Sequence, residues 1–259
     1  MNTKQFRTRN SVLAVVALVA MLAVLVVNAS AQTINPAAPT SKGSVSLSRS
    51  GTANGVSVVT PRVNRAPVSI TQSVDTTTIT SGNSVACNNG VAHTDNSYYR
   101  VFDLAADFSL PNGMTVTSVD LGLEQLTGGN GAQPMEINLY TTSTNPPTLA
   151  SLTLLGSTAF SVPDAQSVVS NFPINNVFVP AGSTLVVEIF TPDGAADGNL
   201  FFIGSNANGE NDPTYLAAAD CGITNPTPVA GIGFPDMHIV MVVNGDDTLL
   251  TPAPTNTPT

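Results

Sequence analysis

The sequence predicts an all-β protein, an antiparallel two-sheet sandwich of jelly-roll type that is closed by one disulfide. From about residue 67, apolar and polar residues alternate in one short segment after another, which is the period of a strand with one buried face. Gly, Pro, Asn and Asp separate these segments, as is typical of tight turns. Beyond the N-terminal region, no window carries a helical stripe of apolar residues.

Four segments show the alternation most clearly, with polar residues such as Asp120, Glu124 and Glu136 on the opposite face. Turn sequences such as PNG at 111–113 and PDG at 192–194 punctuate them. Residues 67–250 are enough for one sandwich of about eight to ten strands around a single core. The predicted core faces are Val119, Leu121 and Leu123; Met135, Ile137 and Leu139; Leu185, Val187 and Ile189; and Met237, Ile239, Met241 and Val243.

Residues 1–31 are predicted to be a secretory signal peptide. Basic residues precede an uncharged apolar run, Val12–Val27, and a small-x-small sequence ends at Ala31, where we expect cleavage. A retained membrane anchor is the alternative, although the run is shorter than the roughly 20 residues that span a bilayer. The prediction is a secreted protein, extracellular or at the cell surface.

Charge narrows the choice of partners. Cleavage after Ala31 leaves five basic residues against seventeen acidic ones, a formal charge of −12. A surface this acidic repels phosphate backbones and anionic headgroups. Nucleic acid is therefore excluded as a partner, and so is the membrane once the signal is removed.

Both ends of the remaining chain differ in composition from residues 67–250. Residues 32–66 are rich in Ser, Thr, Ala, Gly and Asn, contain four basic residues and no acidic one, and predict a flexible arm. This arm is either a solvated spacer or a cationic segment that docks on an acidic domain, its own or a neighbour's. Residues 251–259 form a Thr/Pro-rich tail or linker.

The two cysteines, Cys87 and Cys221, are predicted to form a disulfide because an exported chain meets an oxidising environment. Two buried free thiols are the alternative. A bridge would close a loop of more than 100 residues, for which the chain-entropy model gives roughly 5 kcal/mol.

No catalytic residues are predicted. The segment from Cys87 to Leu104 gathers several chemically active side chains, but the chain has only two histidines, His93 and His238. It contains neither a Gly-x-Ser-x-Gly elbow nor a His-Glu-x-x-His helix. Arg100 is the only basic residue after Arg65, and we expect it to form a structural, bidentate ion pair with a carboxylate. Anchoring an anionic ligand is the alternative for Arg100.

Two oxygen-rich loops are candidate calcium sites, since secreted β-sandwiches often bind calcium in such loops. Neither loop fits the twelve-residue helix-loop-helix pattern, and solvated turns are the alternative for both. The first loop offers Asp193, Asp197 and Asn199, and the second offers Asn206, Asn208, Glu210 and Asp212. Calcium is the only cofactor that the sequence indicates.

Carbohydrate binding is suggested by the predicted architecture alone. Sugar platforms use exposed aromatic faces, and this chain has four tyrosines and no tryptophan. Tyr140 is the best single candidate for ligand binding, because it lies on the polar face of its strand beside Glu136 and Asn138.

Three segments, SVACNNGVAHTDNSYYRVFDL at 84–104, VVEIFTPDG at 186–194 and the stretch at 201–245, resemble a β-sandwich module found in large secreted bacterial proteins. That module is appended to extracellular, subtilisin-like proteases and to multidomain surface proteins, and this chain has no protease domain. The resemblance implies a non-catalytic binding or adhesion module whose partner is an extracellular polysaccharide, the cell wall or another surface protein. A self-assembling surface or matrix subunit is the alternative, and an accessory domain of a secreted hydrolase is a further one.

Overall fold

The computed structural model describes residues 64–249. The predicted signal peptide at 1–31, nearly all of the arm at 32–66 and the tail at 251–259 lie outside the described residues, so these assignments stay predictions. The first strand begins at Asn64. This strand therefore includes residues 64–66 of the predicted arm.

The described chain forms thirteen strands and three short 3-10 turns. Within residues 64–249, no helix has the length and apolar content to cross a membrane. The strands are β1 (Asn64–Ile70), β2 (Asn96–Asp103), β3 (Met114–Thr127), β4 (Ala132–Thr142), β5 (Leu152–Pro163), β6 (Ala165–Val179), β7 (Thr184–Thr191), β8 (Leu200–Ile203), β9 (Ser205–Asn206), β10 (Tyr215–Ala218), β11 (Ile223–Pro228), β12 (His238–Ile239) and β13 (Met241–Leu249). The 3-10 turns are Leu149–Ser151, Ala219–Cys221 and Val229–Ile232.

Two antiparallel sheets make up the sandwich. The five-stranded sheet has the order β1-β13-β3-β6, with β8 also paired to β3, and the six-stranded sheet has the order β11-β10-β2-β7-β4-β5. Strands β12 and β9 form a small separate pair. Apart from β4, each of β1 to β7 is followed in the chain by a strand of the other sheet. The orders β1-β13-β3-β6 and β2-β7-β4-β5 are those of a jelly roll, so the predicted fold is confirmed.

One apolar core fills the space between the sheets. Every residue of the four predicted core faces is at most 1% exposed and belongs to this core. Burying each such side chain stabilises the fold by about 1.5–3 kcal/mol as an upper estimate. Because successive side chains of a strand point to opposite faces of the sheet, the polar residues between these apolar ones point away from the core.

The predicted disulfide is present. Cys87 and Cys221 are bonded, with their Cα atoms 5.9 Å apart. Cys87 precedes β2, and Cys221 ends the 3-10 turn that connects β10 to β11. The bridge therefore fixes β10 and β11 at one end of the six-stranded sheet, where they form a wall of the groove described next.

Candidate functional site

A row of polar and aromatic side chains crosses the outer face of the six-stranded sheet, the face that points away from the core. Tyr215 lies opposite Tyr99 on β2, Tyr99 lies opposite Glu188 on β7, and Glu188 lies opposite Asn138 on β4. Residues opposite one another in an antiparallel pair have neighbouring side chains on one face. The register alone therefore assembles this row from four separate parts of the sequence.

Glu188 is the centre of a hydrogen-bond network on this face. The Tyr99 hydroxyl donates to its Oε1 at 2.8 Å. Asn138 Nδ2 and the Tyr140 hydroxyl donate to its Oε2 at 3.0 and 2.7 Å. Glu188 as a whole is only 6% exposed. Three donors thus satisfy a charge that would otherwise be costly to bury.

The electrostatics of the network keep the tyrosines protonated. Burial, followed by the charge of Glu188, raises the pKa of Tyr99 well above its ordinary value. Burial, followed by the hydrogen bond to Glu188, likewise raises the pKa of Tyr140. Both hydroxyls therefore remain donors to Glu188 at every physiological pH.

A groove of about 390 Å³ lies over this network. Its lining includes Glu188, Asn138, Glu136, Phe190 and Asp95 from the sheet and its rim. Ligand pockets commonly have volumes of 300–1,000 Å³. The groove is therefore large enough for a small ligand or for one part of a longer one.

Two segments wall the groove and are bonded to each other. Leu149 comes from the β4–β5 connection, and Ile223 begins β11 beyond the disulfide. The Leu149 amide donates to Asn225 Oδ1 at 3.3 Å, and the Tyr215 hydroxyl donates to Asn145 Oδ1 at 3.2 Å. These bonds hold the connection against β10 and β11.

The groove is an acceptor site with a negative charge. Three carboxylates, Asp95, Glu136 and Glu188, line it, and among residues 64–249 no lysine or arginine does. Carboxylates accept hydrogen bonds from hydroxyl and amino groups and repel anions. The site therefore suits neutral polyhydroxy or amino-bearing ligands.

Arg100 points to the opposite side of β2, into the core, and is 0% exposed. Its Nη1 pairs with Glu210 Oε2 at 2.8 Å and donates to the Asp212 carbonyl at 2.7 Å, while Nη2 donates to the Ile239 carbonyl at 2.7 Å. Burial lowers the pKa of Arg100 to about 10, and Glu210 opposes that shift.

The predicted bidentate geometry of the Arg100 pair is wrong. Only one guanidinium nitrogen meets one oxygen of Glu210. Nη1 also donates to the Asp212 carbonyl and Nη2 to the Ile239 carbonyl, while buried Nε has no hydrogen-bond partner among the described residues. With its side chain enclosed in this way, Arg100 is unavailable to an anionic ligand at the surface. It ties β2 to the loop that carries Glu210 and to the end of β12.

The first candidate calcium loop forms a turn. Asp193 Oδ1 accepts from the Ala195 amide at 2.8 Å, and the Asp197 carbonyl accepts from the Gly129 amide at 3.3 Å. Asn199 is buried, and its carbonyl accepts from the His93 amide at 3.0 Å. These contacts fix the loop against its neighbours.

In the second candidate loop, the side chains form hydrogen bonds and an ion pair with other segments of the fold. Asn206 Nδ2 donates to the carbonyls of Asp75 and Thr78, and Asn208 Nδ2 donates to Asp75 Oδ2. Glu210 pairs with Arg100, as described above, and Asp212 Oδ2 accepts from Gln72 at 3.1 Å. Across residues 64–249, the structure brings together no group of three or more His, Cys, Asp or Glu that could hold a metal.

The two histidines contact backbone groups. The ring of buried His93 lies 2.9 Å from each of the Asn199 and Pro192 carbonyls, and burial lowers its pKa. His238 Nδ1 accepts from the Gly209 amide at 2.9 Å. Neither ring has a hydroxyl, thiol or carboxylate partner among the hydrogen bonds of the described residues, so neither has the geometry of a nucleophile's base.

Sequence reasoning identified one edge of the site and missed its centre. Tyr140, Glu136 and Asn138 were recognisable as the polar face of β4, and the structure places all three beside Glu188 or in the groove. Glu188 itself was overlooked. The available signal was a lone acidic residue at an outward position in the otherwise apolar segment LVVEIF.

Comparisons with known proteins find distant structural likeness only. No protein-family model and no curated protein matches the chain. It is similar to a variant of the clostridial cysteine protease Cwp84 after propeptide cleavage, with a TM-score of 0.44 and 15% identity over 71% of this chain and 40% of that one. It is also similar to the cysteine protease and lectin-like domains of Cwp84, a surface layer associated protein of Clostridium difficile, with a TM-score of 0.41 and 16% identity over 61% of this chain and 33% of that one. The chain thus spans less than half of either solved chain, and this likeness assigns no function.

Proposed function

We propose that this protein is a non-catalytic extracellular binding module and that the groove on its six-stranded sheet binds neutral carbohydrate. The observation that carries the proposal is the Glu188 carboxylate, fixed beneath the groove by Tyr99, Asn138 and Tyr140. A rigid acceptor that is already partnered needs little reorganisation when a ligand binds, and such preorganisation favours affinity.

The chemistry of the lining matches a sugar. Glu136 and Asp95 offer carboxylate oxygens to ligand hydroxyls at the sides of the groove. Phe190, Leu149 and Ile223 offer apolar surface to the C–H face of a pyranose. The negative charge disfavours uronic acids, sulfated glycans and phosphate-rich polymers.

The hydrogen bonds of Glu188 support a binding role over catalysis. A glycosidase needs one carboxylic acid that gives up a proton and a second carboxylate that acts as base or nucleophile. Both oxygens of Glu188 already accept hydrogen bonds from Tyr99, Asn138 and Tyr140, so this side chain is poorly placed to donate a proton to a leaving group. An accessory role beside a separate hydrolase domain is the alternative that involves hydrolysis.

The setting in which this module acts is part of the same proposal. The predicted export signal and the disulfide support an oxidising, extracellular location. We place the module in a secreted or surface protein of the bacterial type described above, where it attaches that protein to an extracellular polysaccharide or to the cell wall.

A glycan panel tests the proposal. The chain lacking residues 1–31 is melted alone and with neutral, amino-bearing and anionic oligosaccharides, since a ligand that binds the native state raises the midpoint. We expect a neutral glycan to raise it and anionic glycans to leave it unchanged. A calcium arm and a chelator arm show whether a metal contributes.

A matched pair of variants assigns the binding to the groove. Glu136→Gln removes a lining carboxylate, and we expect about 10-fold to 100-fold weaker binding, which corresponds to the loss of a hydrogen bond to a charged group. Asp236→Asn removes an exposed carboxylate elsewhere and serves as the control. If both variants bind the glycan with equal affinity, or if no glycan raises the melting midpoint, the groove is not the binding site.

A further inference from the structure

We propose that strand β5 of one copy pairs with β5 of a second copy, so that the protein is an edge-to-edge dimer. This proposal is independent of the carbohydrate proposal, because it rests on a sheet edge and not on the groove. It names a second copy of this chain as the occupant of that edge.

Strand β5 ends the six-stranded sheet. Within residues 64–249 it pairs with β4 alone, and Gly156–Pro163 runs without interruption against Ala132–Leu139. Its other side therefore presents backbone N–H and C=O groups along a regular stretch. Such an edge is a template for pairing with a further strand.

Proteins usually blunt their edge strands with charges, prolines or bulges. In this domain β1 carries Arg65 and Pro67, and β11 carries Pro226 and Pro228. Strand β6 carries Pro173 and left-handed residues at Ser167 and Asn176, with φ of 48° and 46°.

The edge of β5 lacks these devices over its regular stretch. Gly156–Val162 contains no charge, no proline and no residue with positive φ. The one irregularity of β5 lies before this stretch, where Leu139 faces Gly156 and Tyr140 faces Leu154. Leu154, next to the stretch, is 56% exposed.

The distribution of charge indicates what covers the edge. Residues 64–249 contain all seventeen acidic residues and only two basic ones, Arg65 and Arg100, a formal charge of −15. Between Glu136 and Glu188, Asp164 is the only charged residue. Side chains of Gly156–Val162 therefore add no charge repulsion of their own when two copies approach along β5, whereas a basic partner would be drawn to the acidic faces.

Two-fold symmetry is compatible with pairing of β5 with a second copy of itself. An uncharged edge strand suits an uncharged partner strand, and a second copy of this chain provides an identical edge strand. A two-fold axis perpendicular to the sheet pairs identical strands antiparallel and closes the contact, as in an isologous dimer. Each copy contributes six strands to one continuous sheet of twelve. The same axis places both outer faces on one side of that sheet.

Sedimentation of the chain lacking residues 1–31 over about a 100-fold range of concentration tests the dimer. We expect a dimer that dissociates on dilution and that strengthens when salt screens the acidic repulsion. The double variant Ser157→Lys and Ser161→Lys places two charges at exposed positions on β5. It should weaken dimerisation at least 10-fold.

The double variant Ser81→Lys and Val91→Lys is the matched control, because it adds the same charge at exposed positions away from the edge. It should dimerise at least as well as the unmodified chain. A monomer at every concentration overturns the proposal, as does a dimer that resists the β5 lysines. If the β5 variant fails to fold, hydrogen exchange on the unmodified chain replaces it: β5 amide protection must rise with concentration, and constant protection overturns the proposal.

Discussion

Tyr99 and Glu188 lie opposite each other on β2 and β7, and the tyrosine hydroxyl donates to the carboxylate at 2.8 Å beneath the groove. This pair joins the two central strands of the outer face, and Tyr140 reaches the same carboxylate from β4. The proposed binding surface is therefore part of what stabilises the sheet.

Removal of a tyrosine hydroxyl should destabilise the fold. Tyr99→Phe leaves Glu188 with one fewer donor while the carboxylate stays buried, and a hydrogen bond to a charged group contributes about 1.5–3 kcal/mol. Tyr215→Phe loses only a neutral bond to Asn145, which contributes about 1 kcal/mol. Urea unfolding measures the loss in unfolding free energy for each variant. Equal losses would mean that the hydrogen bond from Tyr99 to Glu188 contributes no more than a neutral one.

Reduction of the disulfide should lower the melting temperature. Cys87 and Cys221 are 134 residues apart, and the chain-entropy model gives about 5 kcal/mol for such a loop, or roughly 10–20 °C at most. A melt with and without reductant measures it. The Cys87→Ser and Cys221→Ser double variant is the control, since reductant should leave its midpoint unchanged. An unchanged midpoint in the unmodified chain would show that the bridge adds no stability.

The buried ion pair should behave as a coupled unit. Glu210→Gln leaves the Arg100 charge enclosed without its partner, and we expect a loss of about 3 kcal/mol. Replacing both residues by Met should cost less than the sum of the losses for Arg100→Met and Glu210→Met measured singly. A double-mutant cycle from urea unfolding gives the coupling, and additive losses would contradict the pairing.

Acidification should destabilise the domain through His93. Burial lowers the pKa of this histidine in the folded state, although its contacts with the Asn199 and Pro192 carbonyls oppose the shift. The unfolded chain therefore takes up the proton first as pH falls below about 6.5, and stability is lost from there downward. His93→Gln should show a flatter dependence of the unfolding free energy between pH 7.5 and 5.5. Parallel curves for the two proteins would show that His93 titrates alike in both states.

Much of the fold could be predicted because alternation reports directly on burial. Val119, Leu121 and Leu123 had to share a face whatever the topology, and the turn sequences bounded their strand. The Glu188 network was beyond such reasoning. Its members come from β2, β4 and β7, and only the cross-strand register makes Tyr99 and Asn138 neighbours of Glu188. The partner of Arg100 was hidden as well, because Glu210 lies 110 residues away, in the segment between β9 and β10.

Chemical-shift mapping shows whether neutral carbohydrate binds in the groove over Glu188. Isotope-labelled chain is titrated with the neutral glycan that raises the melting temperature most. We expect the amide shifts to concentrate around Tyr99, Glu136 and Phe190 and to saturate with one binding constant. Shifts on the outer face of the five-stranded sheet instead, or none at all, would contradict this expectation.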